Sequence, residues 1–353
     1  MAEGQGTLRK TLMSGVLLLS LSTVLVKVIG LVYKIPMLSY LGSEGMGYFN
    51  SAYEIYALFC VIATAGLPVA LSVLISAALA RGERCTVRRI WRASMAAFLL
   101  IGLAGTGVMA GFSGAFCRMI RSESAHACIL AISPTVFFVC VSSALRGYFQ
   151  GYQRMLPTAV SQLLEAVGKL VFGLLLARWA LDRGWDTPQV AAAAGVGLTL
   201  GTLLSVLYLA LEKLRFRPHG QEAPRAPAAA AGRAGYRRIW ADLGRLAVPM
   251  TLGASAVSLT KLIDMTMILR RLQSIGLSEA MANEVYGSYT TLALSVFGLL
   301  PALVNSVALP LVPMLSAAIA SGNTLRQQQM IRSSYQLTSL FAKIGRASCR
   351  ERV

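Results

Sequence analysis

The fold is decided by long stretches without charge, and residues 55–80 are typical of them, reading IYALFCVIATAGLPVALSVLISAALA. A helix needs about 20 mostly apolar residues to cross a hydrocarbon core of roughly 30 Å. Uncharged stretches of this kind recur along the chain and predict an all-α polytopic membrane protein, in which a ninth span begins near Ser334. The eight full spans are predicted near 12–37, 49–79, 93–115, 127–146, 157–178, 190–211, 246–268 and 286–316.

The composition excludes an ordinary soluble protein. Of the 353 residues, 56% are hydrophobic and 14% are charged, whereas soluble domains have about 45–50% and about 25%. A net charge of +18 would indicate a nucleic-acid-binding protein if it were spread through a polar chain. Here the basic residues lie in short segments between apolar stretches, as in membrane proteins. We therefore expect membrane lipids as partners and no nucleic acid.

The distribution of basic residues favours one orientation. If the amino terminus is cytoplasmic, the cytoplasmic segments receive most of the Lys and Arg, including the Arg-rich stretches 81–92 and 213–245. The opposite side receives Arg118, Arg121, Arg178, Arg183, Arg270 and Arg271. This asymmetry predicts a multi-pass protein of the cytoplasmic membrane with its amino terminus inside. We assign one crossing, rather than two, to the uncharged residues 285–325, because one crossing preserves the asymmetry.

A flexible linker divides the predicted spans. Residues 212–245 contain three prolines, a run of alanines and much Arg, which indicates a cytoplasmic linker. Residues 1–211 are then an N-terminal lobe of six helices, and residues 246–343 are the start of a second lobe, with two spans and the beginning of a third. Residues 344–353 read as the in-frame translation of a common sequencing adapter, and we exclude them from the fold prediction. On this interpretation the second lobe is truncated after about two helices.

The two sides of the linker resemble each other. Lys27 in the first span has a counterpart in Lys261 of the seventh, and the segment SAALARG at 76–82 recurs as SAAIASG at 316–322. Chance similarity among Ala- and Leu-rich helices is the alternative explanation. If the repeat is real, it predicts two parallel lobes with a substrate site between them.

Lysines within the predicted spans mark the candidate site, because a charge at membrane depth costs at least about 2.5 kcal/mol and normally faces protein or water. Lys27 has no neighbour of opposite sign along its own helix, so an anionic partner is expected. Because Lys27 and Lys261 occupy corresponding positions, they are predicted to face one central cavity and bind substrate. Lys34 and Glu54 are added to this substrate-binding set; the alternative is that both extend to the outer interface.

Two further sets of charges are spaced as neighbours on a helix. Glu165 and Lys169 are four residues apart, and Lys261 and Asp264 are three apart. Glu165, Lys169 and Asp264 are therefore interpreted in two ways. They are either groups that couple transport to an ion, or parts of self-neutralising pairs that only permit insertion.

Signatures of catalysis and of metal binding are missing from the sequence. There is no Walker A sequence, no GxGxxG motif and no HExxH motif, and the two histidines, His126 and His219, are isolated. We therefore expect no catalytic residues, no metal site, no cofactor and no enzymatic activity.

The segment from Arg146 to Pro157 reads RGYFQGYQRMLP. It resembles the stage V sporulation protein B and polysaccharide-biosynthesis branch of the multidrug/oligosaccharidyl-lipid/polysaccharide (MOP) exporter superfamily, and the resemblance extends over nearly all of residues 8–343. The motif is assigned to a cytoplasmic loop. Its characteristic positions are Arg146, Gly147, Gln150, Gly151, Gln153 and Pro157.

The resemblance implies a MATE-like bundle of two lobes around a cavity, and a flippase similar to the lipid II flippases. Such a protein would move an undecaprenyl-pyrophosphate-linked cell-wall or polysaccharide precursor by alternating access, with spore cortex peptidoglycan as one destination and H⁺ or Na⁺ as a coupling ion. Basic cavity residues of these relatives engage the pyrophosphate. Lys27 matches the basic position in the first helix, where lysine keeps the charge of the usual arginine but loses its two-pronged donor geometry.

Two other functions remain as alternatives. A cation-coupled multidrug exporter of the MATE type would favour acidic cavity residues, and Glu54, Glu165 and Asp264 keep it open. An integral-membrane glycosyltransferase would require a pair of donor-binding carboxylates, and the sequence has no DxD motif to provide them.

Overall fold

The computed structural model describes residues 2–216 and 236–294, together with Gln328, Arg332, Tyr335 and Ser339. Every regular element among these residues is helical, which agrees with the predicted all-α class. The helices are α1 (Ala2–Thr64), α2 (Leu67–Ala80), α3 (Arg84–Gly111), α4 (Ser113–Ile120), α5 (His126–Gly151), α6 (Leu156–Asp182), α7 (Thr187–Arg215), α8 (Tyr236–Ser274) and α9 (Glu279–Ser288). A 3₁₀ turn at Glu123–Ala125 precedes α5, and a π-helical turn at Tyr289–Ala293 follows α9.

Six stretches of the described residues are long and apolar enough to cross a membrane, judged by length and composition. They are Leu21–Leu79, Cys85–Gly111, Glu123–Gly151, Leu156–Asp182, Thr187–Arg215 and Ile239–Ser274. The first comprises 59 residues, which is enough for two crossings of a core that needs about 20 residues each.

The chain between the first two predicted spans differs from our expectation. We predicted a loop between residues 37 and 49, but α1 continues through this segment and is interrupted only at Gly42, whose φ and ψ are 65° and 178°. This backbone conformation is essentially restricted to glycine. The predicted span 49–79 is in turn broken near Gly66, where α1 ends and α2 begins. A Cβ atom on Gly66 would collide with the carbonyl oxygen of Ala247 in α8.

The remaining predicted spans fall within helices that are somewhat longer than predicted. The spans at 93–115 and 246–268 lie on α3–α4 and α8, and α8 already begins within the predicted linker. The span at 286–316 starts in α9, but its later part and the ninth span near Ser334 lie outside the described residues. Three of the helices, α2, α6 and α7, carry a proline in their first turn, where the missing N–H is not needed.

Small residues allow α6 and α7 to pack closely. A Cβ atom on Gly168 would lie 2.7 Å from the Cα atom of Gly201. One on Gly197 would collide with the backbone of Gly173. Gly197 and Gly201 are four residues apart, so they lie on one face of α7, as in the small-residue interfaces of membrane helices.

Candidate functional site

Lys27 and Lys34 lie on one face of the first half of α1. Seven residues correspond to almost two helical turns, so the two side chains are about 10 Å apart along the same face. Leu25, Val28 and Val32 form an exposed apolar stripe on this half of the helix. By helical geometry the lysines lie roughly 100–160° around the helix from that stripe. The cations are therefore not on the face that offers its apolar side chains to lipid.

Glu54 lies near positive charges from both sides of the linker. This carboxylate, in the second half of α1, lies within electrostatic range of Lys34 and of Lys261 in α8. Lys34, Glu54 and Lys261 all belong to the predicted substrate-binding set, and the facing of Lys27 and Lys261 stays a prediction. Lys27 lies two turns from this group along α1. The chain reverses between Lys34 and Glu54 with the help of the break at Gly42.

Asp264 borders this group from α8. Its charge and that of Glu54 both act on the hydroxyl of Tyr286 in α9. Within the described ranges Lys261 and Asp264 form no ion pair with each other, although their spacing would allow one. The positive charge of Lys261 is therefore not neutralised by a direct ion pair with Asp264 on the same helix.

A buried polar contact lies one turn before Glu54. Asn50 in α1 donates hydrogen bonds from Nδ2 to Thr290 Oγ1 at 2.8 Å and to Thr291 Oγ1 at 3.0 Å. Both threonines lie in the π-helical turn after α9, and such turns are frequent at functional sites. The face of α1 that carries Asn50 and Glu54 is thus turned towards α9.

A second charged cluster lies within the first lobe and joins α5 to α6. Glu165 accepts from Arg146 Nη2 at 2.7 Å with Oε2 and from Lys169 Nζ at 2.7 Å with Oε1. Arg146 also donates to the hydroxyls of Ser161 at 2.9 Å and Ser205 at 3.1 Å, so the cluster reaches α7. Glu165 and Lys169 form the pair that their spacing allows, but Glu165 is shared with a second cation.

Our assignment of the RGYFQG motif to a loop is wrong for residues 146–151, which form the last turns of α5. The turn between α5 and α6 comprises residues 152–155. Arg146 is compatible with a helix inside the lobe because Glu165 neutralises it. The motif glycines have a packing role: a Cβ on Gly147 would lie 2.8 Å from Pro68 O, and one on Gly151 would lie 2.7 Å from Ile75 Cβ. These glycines let α5 lie directly against α2.

The other motif residues shape the turn itself. Pro157 stands in the first turn of α6, and Gln150 is half-buried at the end of α5. Gln153 has a φ of 58°, in the left-handed region that costs a residue with a side chain roughly 1–2 kcal/mol.

Replacing Gln153 by glycine should therefore stabilise the protein. Glycine removes the left-handed strain, and part of the gain is lost to its greater backbone entropy in the unfolded chain. We expect an increase in the free energy of unfolding of about 0.5–1 kcal/mol, measured as a higher melting temperature in detergent micelles. The matched control is Gln150→Gly in the last turn of α5, which should lower stability by at most about 1 kcal/mol. Equal effects of the two substitutions would contradict this account.

Sequence reasoning missed a lobe junction at one end of the molecule, which we define by residues 119–124 of the first lobe and residues 270–283 of the second. Glu279 Oε1 accepts from Ser122 Oγ at 3.2 Å and from the backbone N–H of Ser124 at 3.0 Å. Asn283 Nδ2 donates to Ser122 Oγ at 3.1 Å. Two backbone carbonyls of the first lobe also accept from the second: Met119 O from Arg270 Nε at 2.7 Å, and Arg121 O from Gln273 Nε2 at 2.7 Å. These partners are 150 or more residues apart in sequence, so no local pattern links them.

The cysteines and histidines among the described residues do not form a metal site. Cys60, Cys85, Cys117, Cys128 and Cys140 are free thiols, and no group of three potential metal-binding side chains occurs in residues 2–216 and 236–294. Burial raises the pKa of the Cys117 thiol, in the short helix α4, to about 11. This thiol is therefore protonated and weakly nucleophilic at neutral pH.

Comparison with known proteins identifies relatives over most of the chain. The chain is 26% identical to stage V sporulation protein B of Bacillus subtilis (strain 168) over 329 residues, which cover 92% of this chain and 61% of that protein. It is 27% identical to the lipid II flippase MurJ of the same organism over 345 residues, which cover 94% of this chain and 62% of that protein. The chain thus spans about three-fifths of the length of these two relatives.

The fold matches that of solved transporters. A crystal structure of MATE in complex with MaD3S superposes with a TM-score of 0.62 and 15% sequence identity, covering 94% of this chain and 71% of that chain. The predicted MATE-like helical fold is thereby confirmed. Residues 12–319 match the sequence profile of a family described as polysaccharide biosynthesis protein. That match extends over most of the sequence, and the chain belongs to the polysaccharide biosynthesis protein family.

Proposed function

We propose that this protein is a flippase that moves a precursor linked to undecaprenyl pyrophosphate, similar to lipid II, across the cytoplasmic membrane. The observation that carries the proposal is that Lys34 and Lys261, which come from the two sides of the linker, both lie within electrostatic range of Glu54. A diphosphate is an anion that two such lysines can bind. The names of the relatives, a lipid II flippase and a sporulation protein, agree with a cell-wall precursor, with the spore cortex as one destination.

The proposed mechanism needs no covalent chemistry. The polar headgroup enters between the lobes, where Lys34 and Lys261 bind the diphosphate and Lys27 extends the basic face along α1. The polyprenyl tail stays in lipid, so only the headgroup must be moved out of water. Rocking of the lobes then exposes the site to the other side, with the amino terminus cytoplasmic and with H⁺ or Na⁺ as the coupling ion.

The site favours this function over export of cationic drugs. Glu54 is one of the acidic groups that such a drug could use, and Lys34 and Lys261 lie within electrostatic range of it. These two lysines attract an anionic ligand and repel a cationic one.

The test is a flipping assay with defined lipid-linked substrates in proteoliposomes, using a version of the chain extended to the length of the family's members. Lys34→Ala and Lys261→Ala should each reduce translocation at least about 10-fold, because a hydrogen bond between charged groups is worth roughly 1.5–3 kcal/mol. Arg178→Ala is the control, since Arg178 is exposed and, among the described residues, pairs with the exposed Asp182. Wild-type rates in both lysine variants would remove these lysines from the mechanism, and transport of cationic drugs alone would favour the alternative.

A further inference from the structure

The cluster of Arg146, Glu165 and Lys169 carries a net positive charge. It contains two cations and one carboxylate, and in the described parts of the chain Glu165 is the only carboxylate within 4.0 Å of either cation. A net positive charge in the interior of a membrane protein is costly unless an anion or water compensates it.

The surplus charge belongs to Lys169 rather than to Arg146. The Arg146 guanidinium makes hydrogen bonds to Glu165, Ser161 and Ser205, and its side chain is 14% exposed. It can therefore neutralise Glu165 without help. Among the described residues Lys169 pairs with Glu165, and its side chain is 24% exposed. An ammonium group has three donors, so Lys169 has donors to offer to a ligand.

The position of Lys169 indicates which kind of ligand can reach it. It is the central residue of α6, which runs from Leu156 to Asp182, so it lies about 20 Å from each end of the helix. The headgroups of bulk phospholipids remain at the membrane surface, well away from this depth. Only a group that enters the protein can meet this side chain.

Lys169 lies on a different face of α6 from most of its exposed apolar side chains. By helical geometry it is roughly 120–160° around the helix from the aliphatic ones and about 80° from Trp179. These exposed aliphatic residues are Leu156, Val167, Val171, Leu175 and Leu181. Lys169 lies instead within electrostatic range of Tyr53 of α1, which is itself 38% exposed. The two side chains therefore border an opening between α1 and α6, and Tyr53 immediately precedes Glu54.

We propose that Lys169 is a second anion-binding residue of the first lobe, which offers the surplus positive charge of its cluster to a phosphate group at the opening beside Tyr53. This inference rests on the proposed function and extends it, because the ligand is the diphosphate of a lipid-linked substrate that has entered between the lobes. The anion contributes the negative charge that the cluster lacks. The hydroxyl of Tyr53 provides a neutral donor at the same opening.

The experiment measures ligand binding to the 353-residue chain in nanodiscs of phosphatidylcholine. The probe is undecaprenyl diphosphate, and its dissociation constant is compared for the wild type, Lys169→Met, Lys169→Arg and the outward-facing control Arg178→Met. Lys169→Met should weaken binding at least about 10-fold, Lys169→Arg should restore most of the affinity, and Arg178→Met should change nothing. Undecaprenol, inorganic pyrophosphate and phosphatidylglycerol serve as separate probes for the tail, the free anion and a membrane headgroup.

Each outcome decides a definite point. If wild type and Lys169→Met bind undecaprenyl diphosphate equally, Lys169 is not a ligand contact, while the proposed function stands. If the wild type does not bind it, this inference fails, and the flipping assay on the extended chain decides the proposed function. Preferential binding of phosphatidylglycerol would overturn the assignment of the ligand. A Lys169→Met chain that no longer folds would also overturn the proposal, because the ammonium would then be needed to neutralise Glu165.

Discussion

Glu165→Gln should be the most destabilising single substitution in the first lobe, lowering the free energy of unfolding by about 3–5 kcal/mol. The substitution keeps the shape of the side chain but removes the carboxylate that Arg146 and Lys169 share at 2.7 Å each. Two cations would then face each other without a counter-charge in the interior of the lobe. The effect is measurable as a shift of the unfolding midpoint in a denaturant titration in detergent micelles, followed by circular dichroism.

Two further variants separate charge from hydrogen bonding in this cluster. Arg146→Met leaves Glu165 paired with Lys169 and should cost about 1–3 kcal/mol, mainly because the hydroxyls of Ser161 and Ser205 lose their donor. Asp182→Asn breaks an exposed pair with Arg178 and should cost at most about 1 kcal/mol. If Glu165→Gln proved no more damaging than Asp182→Asn, the cluster would not be a buried ionic network.

Gly201→Ala should destabilise the packing of α6 against α7 by about 1–3 kcal/mol, the usual cost of overpacking a tight contact. A Cβ atom on Gly201 would lie 2.8 Å from the carbonyl carbon of Gly168, and it would collide with the backbone nitrogen of Lys169. Backbone atoms cannot rotate away as a side chain can, so the helices must separate. The separation would also displace Lys169 and Ser205, which belong to the charged cluster.

The matched control for this substitution is Gly107→Ala in α3. A Cβ atom on Gly107 has nothing within 4 Å, so alanine should raise the stability of this helix by about 0.5–1 kcal/mol. Thermal unfolding of both variants in the same detergent tests the prediction. A loss of stability in Gly107→Ala, or none in Gly201→Ala, would show that close helix contact is not what requires glycine at position 201.

Sequence patterns predicted the helices well because the requirement for apolar length is local. Residues 127–146 and 157–178 were recognised as spans, and α5 and α6 contain them. The break at Gly42 was missed, because a segment with Pro36, Glu44 and several glycines fits a loop as well as an interrupted helix. Whether the chain turns there depends on contacts made elsewhere, such as that of Gly47 with the backbone of Asn283.

The candidate site was only partly accessible from the sequence. The pair of Glu165 and Lys169 follows from their spacing, but the participation of Arg146 does not, because it comes from another helix and was assigned to a loop by its charge. Lys27 and Lys34 share a face of α1, so spacing alone does not determine which of them approaches Lys261. That choice depends on how the second half of α1 folds back to bring Glu54 near Lys34.

The lobe junction has an energetic consequence for the proposed rocking of the lobes. Opening that end would break the five hydrogen bonds made by Glu279, Asn283, Arg270 and Gln273, each with a net value of about 0.5–1.5 kcal/mol. Reversing a conformational population from 1:99 to 99:1 takes about 5.5 kcal/mol of differential ligand affinity. The summed free energy of these hydrogen bonds is thus comparable with what a cargo supplies by binding the open form more tightly. Without cargo, we expect the protein to stay closed at this end.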